Sequence, residues 1–273
     1  MMRILRITVL GIFIVVTVIS GVLFIKDEIT TDDTIPKITI EEEILEVGLD
    51  AKKEDFLKGV TAYDEKDKDI TDKVIIETIS KFIEKGVCKV SYAVCDNDNN
   101  VATAVRKVRY KGYKSPEFKM TGSPCYSIYE YIDLFEIISA KDCIDGDISK
   151  DIVITSKDFA GSTAGVFNIE ATVTNSKGDT STLKFPMVVE DRTPGAPVIE
   201  LKNYLVYTSV NKKLDFKQYL LKATDNNDND LTPTVRIETN VDFSKEGTYS
   251  VHYYATDEAG SQGHTMLIVV VGK

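Results

Sequence analysis

Tryptophan is absent from this 273-residue chain, and histidine occurs only twice, at His252 and His264. Two histidines in one short stretch give no basis for a Ser-His-Asp or metal-histidine centre, and neither a glycine-rich phosphate loop nor a CxxC pair is present. Catalysis is therefore not expected, and no catalytic, cofactor-binding or metal-ligating residue is assigned. The lack of tryptophan also weakens a sugar-stacking platform, although 13 tyrosines could substitute. Basic residues number 33 against 43 acidic ones, a formal charge of -10 with no long basic patch. That balance repels phosphate backbones and argues against nucleic acid as a partner.

Cysteine is scarce, with Cys88, Cys95, Cys125 and Cys143 and none beyond. Cys88 falls on an alternating segment and reads as a small buried apolar residue. Cys88 and Cys95 on one extended strand would stand roughly 23 Å apart, which excludes a bond between them. An oxidising exterior would permit a bridge between Cys125 and Cys143, but two unpaired thiols are the preferred reading.

What the chain does contain begins with one long apolar run. Residues Ile7 to Ile25 hold no charge over 19 positions, enough at about 1.5 Å per residue to cross a hydrocarbon core as a helix. Arg3 and Arg6 precede the run, and Asp27, Glu28, Asp32 and Asp33 follow Lys26. This asymmetry places the N-terminus, residues 1–6, in the cytoplasm, residues 7–25 in the membrane as a single pass, and the rest outside. A cleavable signal peptide is the rival reading. It is disfavoured because the run is long and no A-x-A-like site follows it, Ser20-Gly21 being a weak candidate.

Behind this run one pattern is written three times. Each copy opens on a proline before an alternating segment: Pro36 to Ile40, Pro116 to Met120 and Pro197 to Leu201. The prolines are 80 and 81 residues apart, and the shared glycines Gly86, Gly165 and Gly247 are 79 and 82 apart. A repeat of this length with strand-like content means tandem small domains, here 35–110, 116–190 and 197–272. After each shared glycine, bulk falls on every second position, as in Cys88, Val90, Tyr92 and Val94 or Tyr249, Val251, Tyr253 and Ala255. Period two with one apolar face predicts a half-buried strand. The intervening Lys89, Ser91, Asn168, Glu170, Ser250 and His252 are then expected in water. A turn follows in which Asn99 stands where the other copies have Gly178 and Gly260, both residue types tolerating positive φ. An antiparallel hairpin to the last strand of each copy is the natural continuation.

Upstream of that strand sits an acidic loop with the spacing Asp-x-x-Asp-x-Asp, then Ile or Leu, then Ser or Thr. Its members are Asp64, Asp67 and Asp69; Asp142, Asp145 and Asp147; and Asp225, Asp228 and Asp230. Clustered carboxylates suit a hard cation such as calcium. The preferred reading is structural, because short carboxylates accept hydrogen bonds from turn amides two residues on. Copy two is the weakest metal candidate, since Asn175 replaces the turn aspartates Asp96 and Asp257.

Taken together these residues resemble the bacterial immunoglobulin-like surface repeats, including the Ig-like domain of the Cry22-type pesticidal crystal protein and the hyalin-like repeats. The motifs that carry the resemblance are Thr61-Ala62-Tyr63-Asp64 and its counterparts, the Asp-Ile-Thr loop, Gly247-Thr248-Tyr249-Ser250-Val251-His252-Tyr253, and Ala255-Thr256-Asp257-Glu258-Ala259-Gly260. The resemblance implies an all-β chain: three tandem Ig-like β-sandwich domains of about seven strands each, after the N-terminal transmembrane helix. The Cys…Trp…Cys core of antibody domains is absent. The connections Lys111 to Ser115 and Asp191 to Ala196 are short, so the array reads as a stalk. A membrane-anchored extracellular spacer or adhesion protein with an unknown protein or glycan partner is the leading expectation. A carbohydrate- or cell-wall-binding module is the alternative, supported by Tyr126, Tyr129 and Tyr131 of copy two, whose preferred reading is nonetheless packing at a domain edge.

Overall fold

In a computed structural model, residues 2–30, 33–156 and 163–272 are described, with helical side chains described over 9–23. A single α-helix, α1 (Met2–Thr30), occurs among the described residues and contains the apolar run. Among those residues no helix is long and apolar enough to cross a membrane. The span expected at 7–25 is thus not shown. The described side chains cover only residues 9–23, about 22 Å of helix rise against a core of about 30 Å. Arg3, Arg6, Lys26, Asp27, Glu28 and Asp32, which set the expected orientation, lie outside the described side chains.

The remainder is β-structure, in two compact units, Met1–Lys111 and Gly112–Lys273. In copy one the strands are β1 (Lys37–Ile40), β2 (Ile44–Val47), β3 (Val60–Asp64), β4 (Lys68–Asp69), β5 (Ile75–Ile79), β6 (Val87–Cys95) and β7 (Val101–Tyr110). They form the sheets β1-β3-β4 and β2-β7-β6-β5. Copy two repeats the plan with β8 (Glu117–Met120), β9 (Cys125–Ser127), β10 (Ile138–Asp142), β11 (Gly146–Asp147), β12 (Val153–Ser156), β13 (Gly165–Thr174) and β14 (Thr180–Glu190). Its sheets are β11-β10-β8 and β12-β13-β14-β9. Copy three has β15 (Val198–Leu201), β16 (Leu205–Thr208), β17 (Leu220–Thr224), β18 (Arg236–Thr239), β19 (Gly247–Thr256) and β20 (Gln262–Val271), in the sheets β15-β17 and β16-β20-β19-β18.

Each opening strand begins directly after its proline, where a missing N–H costs nothing at a sheet edge. The expected hairpins form in register, with Cys88 opposite Val108, Ile169 opposite Phe185 and Tyr253 opposite Thr265. At the turns Asn99, Gly178 and Gly260 all take positive φ, at 70°, 81° and 85°, which is why only Asn and Gly stand there. The strand missed from sequence is the short one after the opening strand. β2, β9 and β16 each run parallel to the last strand of their copy, as in Leu205 beside Ile268.

Every second residue of the central strand is buried as expected, save Tyr249, which is half-buried: Cys88, Val90 and Tyr92 are fully enclosed, as are Ala171, Val251 and Tyr253. Burying one such large apolar side chain stabilises by about 1.5–3 kcal/mol. Within the second unit the other face departs from expectation. Leu205, Met266 and Ile268 of copy three belong to the same apolar cluster as Phe118, Met120 and Phe185 of copy two. β20 is buried along both faces from Gly263 to Val269, because copy two covers the side that alternation alone would leave in water.

Candidate functional site

The acidic loops are built first by their own backbone. In copy one the Lys66 and Asp67 amides donate to Asp64 Oδ1 at 2.9 and 2.8 Å, and in copy two the Ile144 and Asp145 amides donate to Asp142 Oδ1 at 2.8 and 2.9 Å. The third aspartate of each loop caps the residue after the Ile or Leu: the amides of Thr71, Ser149 and Thr232 donate to Asp69, Asp147 and Asp230. Hydroxyl and amide donors from these residues hold all three carboxyls below the usual carboxylate range. The same Ser or Thr oxygen then accepts the amide of the facing alanine, Ala62, Ala140 or Ala223, at 3.0, 3.0 and 2.9 Å. Ile70 and Ile148 between them point into the core. The motif is therefore consumed in folding the loop onto its neighbouring strand.

The second aspartate joins this loop to the hairpin turn. Asn97 donates from its amide and side chain to Asp67, and Ser176 donates likewise to Asp145. In copy three the corresponding pair is Asp228 and Glu258, two acids, and the loop takes another turn: Asp225 Oδ1 accepts from Asn227 and Asn229, while Asp228 carries positive φ. Like charges there disfavour the link, which accounts for the change.

Copy two closes the loop with one further bond. Asn175 Nδ2 donates to Asp142 Oδ2 at 3.1 Å and to the Tyr113 hydroxyl at 2.8 Å, and Tyr113 donates to Asp179 at 2.7 Å. In copy one Asp96 occupies the place of Asn175, and the buried Asp64 Oδ2 has no hydrogen-bond partner among the described residues. Burial alone would raise Asp96, but its bonds from Asn100 and the turn amides outweigh that and hold it below the ordinary range. Among the described residues no three His, Cys, Asp or Glu side chains gather closely enough to hold a metal ion.

His252 departs from the sequence expectation. His252 is half-buried and its Nδ1 lies 2.9 Å from His264 Nε2; His264 Nδ1 lies 2.7 Å from Glu190 Oε1, at the end of β14. With Glu190 ionised, His264 donates to it from Nδ1 and accepts from His252 Nδ1, which fixes both tautomers. Arg192 Nε donates to Glu190 Oε2 at 3.0 Å. Tyr254 and His264 stack at 4.5 Å between ring centres, and Arg236 lies over the Tyr254 ring. His252 therefore does not sit in open water, and neither does Ser250, which is buried. The cause is copy two, whose last strand ends against this face. Burial is also the main reason His252 is held below its ordinary value, and the nearness of His264 lowers it further. Nothing in strand alternation signals such a cover, since it depends on a partner over sixty residues away in sequence.

The copy-two tyrosines split. Tyr126 is half-buried against the core, and burial pushes its hydroxyl up to about 12. Tyr129 and Tyr131 instead stand 71% and 86% exposed, against the expected packing at a domain edge. Asp133 caps the 3-10 turn Leu134–Glu136, so the intervening segment is held out as a loop instead of being drawn into a sheet. Tyr129 lines a cleft of about 490 Å³ together with Glu130, Arg192, Glu200, Tyr204 and Thr265. No disulfide joins cysteines among the described residues, so Cys125 and Cys143 are not bridged; Cys88 and Cys125 are buried, Cys95 and Cys143 exposed. Burial pushes the Cys125 thiol up to about 12, leaving it unreactive.

Residues 206–267 match the family described as bacterial surface protein, Ig-like domain. The chain is 29% identical over 221 residues to the pesticidal crystal protein Cry22Aa of Bacillus thuringiensis, covering 78% of this chain and 30% of that one. It is 34% identical over 143 residues to an uncharacterized 81.3 kDa protein of Acholeplasma phage L2, covering 51% and 19%. The chain thus spans under a third of the length of these curated relatives. Solved structures with similarity include the M60 catalytic domain with the CBM51-1 and CBM51-2 domains from Clostridium perfringens ZmpB. That match has 16% identity, a TM-score of 0.25 and coverage of 86% of this chain and 30% of that chain. Another is the protocadherin GammaB4 extracellular domain, with 12% identity, a TM-score of 0.20 and coverage of 89% and 50%. The resemblance to bacterial Ig-like surface repeats, first carried by the motifs, holds.

Proposed function

We propose that this chain is a non-catalytic cell-surface interaction protein, in which three Ig-like modules, 35–110, 116–190 and 197–272, present loops and sheet edges to an extracellular partner. The observation that supports this reading is the fate of the polar motifs. The loop aspartates, the turn Asn175 and both histidines are engaged in hydrogen bonds that fold and join the modules. Groups so engaged are poor candidates for chemistry, whereas the loops they shape are suited to recognition. The match of copy three to a bacterial surface Ig-like domain points the same way.

Attachment is part of the proposal and rests on sequence. The charge-free run from Ile7 to Ile25 is of spanning length, with arginines before it and acids after it. In cells expressing the full chain with a C-terminal tag, external protease is expected to remove the tag, and alkaline carbonate is expected to leave the chain in the membrane. Protection of the tag in intact cells would sink surface display, and release by carbonate would sink the anchor.

A second reading, carbohydrate or cell-wall binding, is favoured by one specific observation: Tyr129 and Tyr131 project into solvent, and Tyr129 borders a cleft.

A further inference from the structure

The cleft in the second unit is bounded by the turn after β9, by the connection 191–196 and by the opening of copy three. Its volume of about 490 Å³ lies within the range of small-ligand sites. Three features of its wall restrict what fits.

The first is an aromatic ring that the fold holds open. Ser127 N–H donates to Glu130 Oε2 at 2.8 Å, Glu130 N–H donates to the Ser127 carbonyl at 3.0 Å, and Tyr129 N–H donates to Ser127 Oγ at 3.4 Å. This tight turn fixes the backbone that carries Tyr129, so its exposed ring is presented rather than free to fold back. An amphipathic ring at a cleft edge offers a flat apolar face with a polar tip.

The second is an anchored donor with capacity to spare. Arg192 is held through Nε by Glu190, while its buried Nη2 has no hydrogen-bond partner among the described residues. A buried guanidinium nitrogen without an acceptor costs free energy that an incoming oxygen would recover after a small rotation of the side chain.

The third is charge. Glu130 and Glu200 line the cleft and Glu190 lies behind Arg192, so three carboxylates face one guanidinium, and His264 is already committed between Glu190 and His252. An anionic ligand would meet net repulsion. A ligand with several hydroxyl donors would satisfy the carboxylates and supply an acceptor to Arg192.

We propose that this cleft binds a neutral saccharide, its C–H face laid on Tyr129 and its hydroxyls shared between Arg192 and the glutamates at the rim. The proposal rests on the second reading above and gives that reading a place and a ligand charge. The full chain in detergent would be titrated with glucose, galactose, N-acetylglucosamine and glucuronate, read by saturation-transfer NMR and tyrosine fluorescence. At least one neutral sugar is expected to saturate in the millimolar range, with glucuronate weaker. Tyr129→Ala, whose ring is exposed and whose removal should leave the melting temperature unchanged, is expected to weaken binding by about tenfold or more. Arg192→Lys should weaken it as well, and Tyr131→Ala, outside the cleft, should not. Sugar binding that survives Tyr129→Ala would overturn the cleft while leaving the second reading standing. Preference for glucuronate would overturn the charge assignment, and no saturable signal from any sugar would remove both the cleft and that reading.

Discussion

Asp64 and Asp142 hold the same place in their loops and accept from the two equivalent amides, yet among the described residues one carboxylate is satisfied and the other is not. A single residue decides this, Asn175 in copy two against Asp96 in copy one. Asn175→Asp is therefore expected to destabilise the second unit by about 2 kcal/mol, because it removes a donor and sets a second carboxylate beside a buried one. The mirror change, Asp96→Asn, should raise the urea midpoint of the first unit by supplying a donor to Asp64 Oδ2, a gain partly offset by the Asn100 Nδ2 bond to Asp96 Oδ2 that it gives up. Urea unfolding of both variants checks this, and shifts of the same sign would show that the two sites are not equivalent. The Asp-x-x-Asp-x-Asp spacing and its turn chemistry were legible in the sequence, because a carboxylate reaching an amide two or three residues on is a local event. What Asn175 does was not legible, because its partners, Asp142 and Tyr113, lie 33 and 62 residues away.

Among the elements, the central strands β6, β13 and β19 coincide within a residue with the alternation read from sequence. Side-chain period two fixes them regardless of what they pair with. The parallel strands β2, β9 and β16 escaped notice since three or four residues carry no period, and their strand character comes from a last strand far along the chain. β20 shows what packing adds. An added Cβ at Gly263 would lie 1.9 Å from the Pro197 carbonyl oxygen, so the opening strand of copy three crosses β20 with no room for a side chain. Gly263→Ala is expected to lower stability by about 1–3 kcal/mol through the backbone shift it forces, checked by denaturant unfolding. An unchanged midpoint would mean that the opening strand moves aside freely. Gly178 and Gly260, by contrast, are glycines for their φ, which turn chemistry makes readable in advance.

Across the second unit as a whole, the Glu190–His264–His252 chain ties copy two to copy three. Burial holds His252 below its ordinary 6.5, so its neutral form is the folded one. The stability this contributes is present above about 6.5 and is lost as pH falls from there toward the lowered folded value. For Glu190, burial alone would raise the carboxyl, but His264 and Arg192 outweigh it and hold it below 4.5. Its contribution is lost only at more acid pH, below about 4.5. Thermal melts are thus expected to fall in two stages on acidification, the first beginning below about pH 6.5. His252→Asn should remove the first stage and Glu190→Gln the second. A melting temperature flat from pH 7 down to about 4.5, where the Glu190 stage begins, would count against the upper stage.

The sequence by itself determined the repeat, the strands with one apolar face, the turns that demand Asn or Gly, and the carboxylates that cap their own loops. The repeat is read by setting segments about eighty residues apart side by side, and the rest are set by residues within a few positions of one another. Only the tertiary structure decided which outward faces meet water. Thr265 of β20 donates to Ser123 across 142 residues, Met266 and Ile268 complete the core of copy two, and His252 is roofed by Glu190 through His264. Alternation tells which side of a strand faces its own core. Whether a neighbouring copy covers the other side depends on contacts between segments far apart in the chain, and no local period records them.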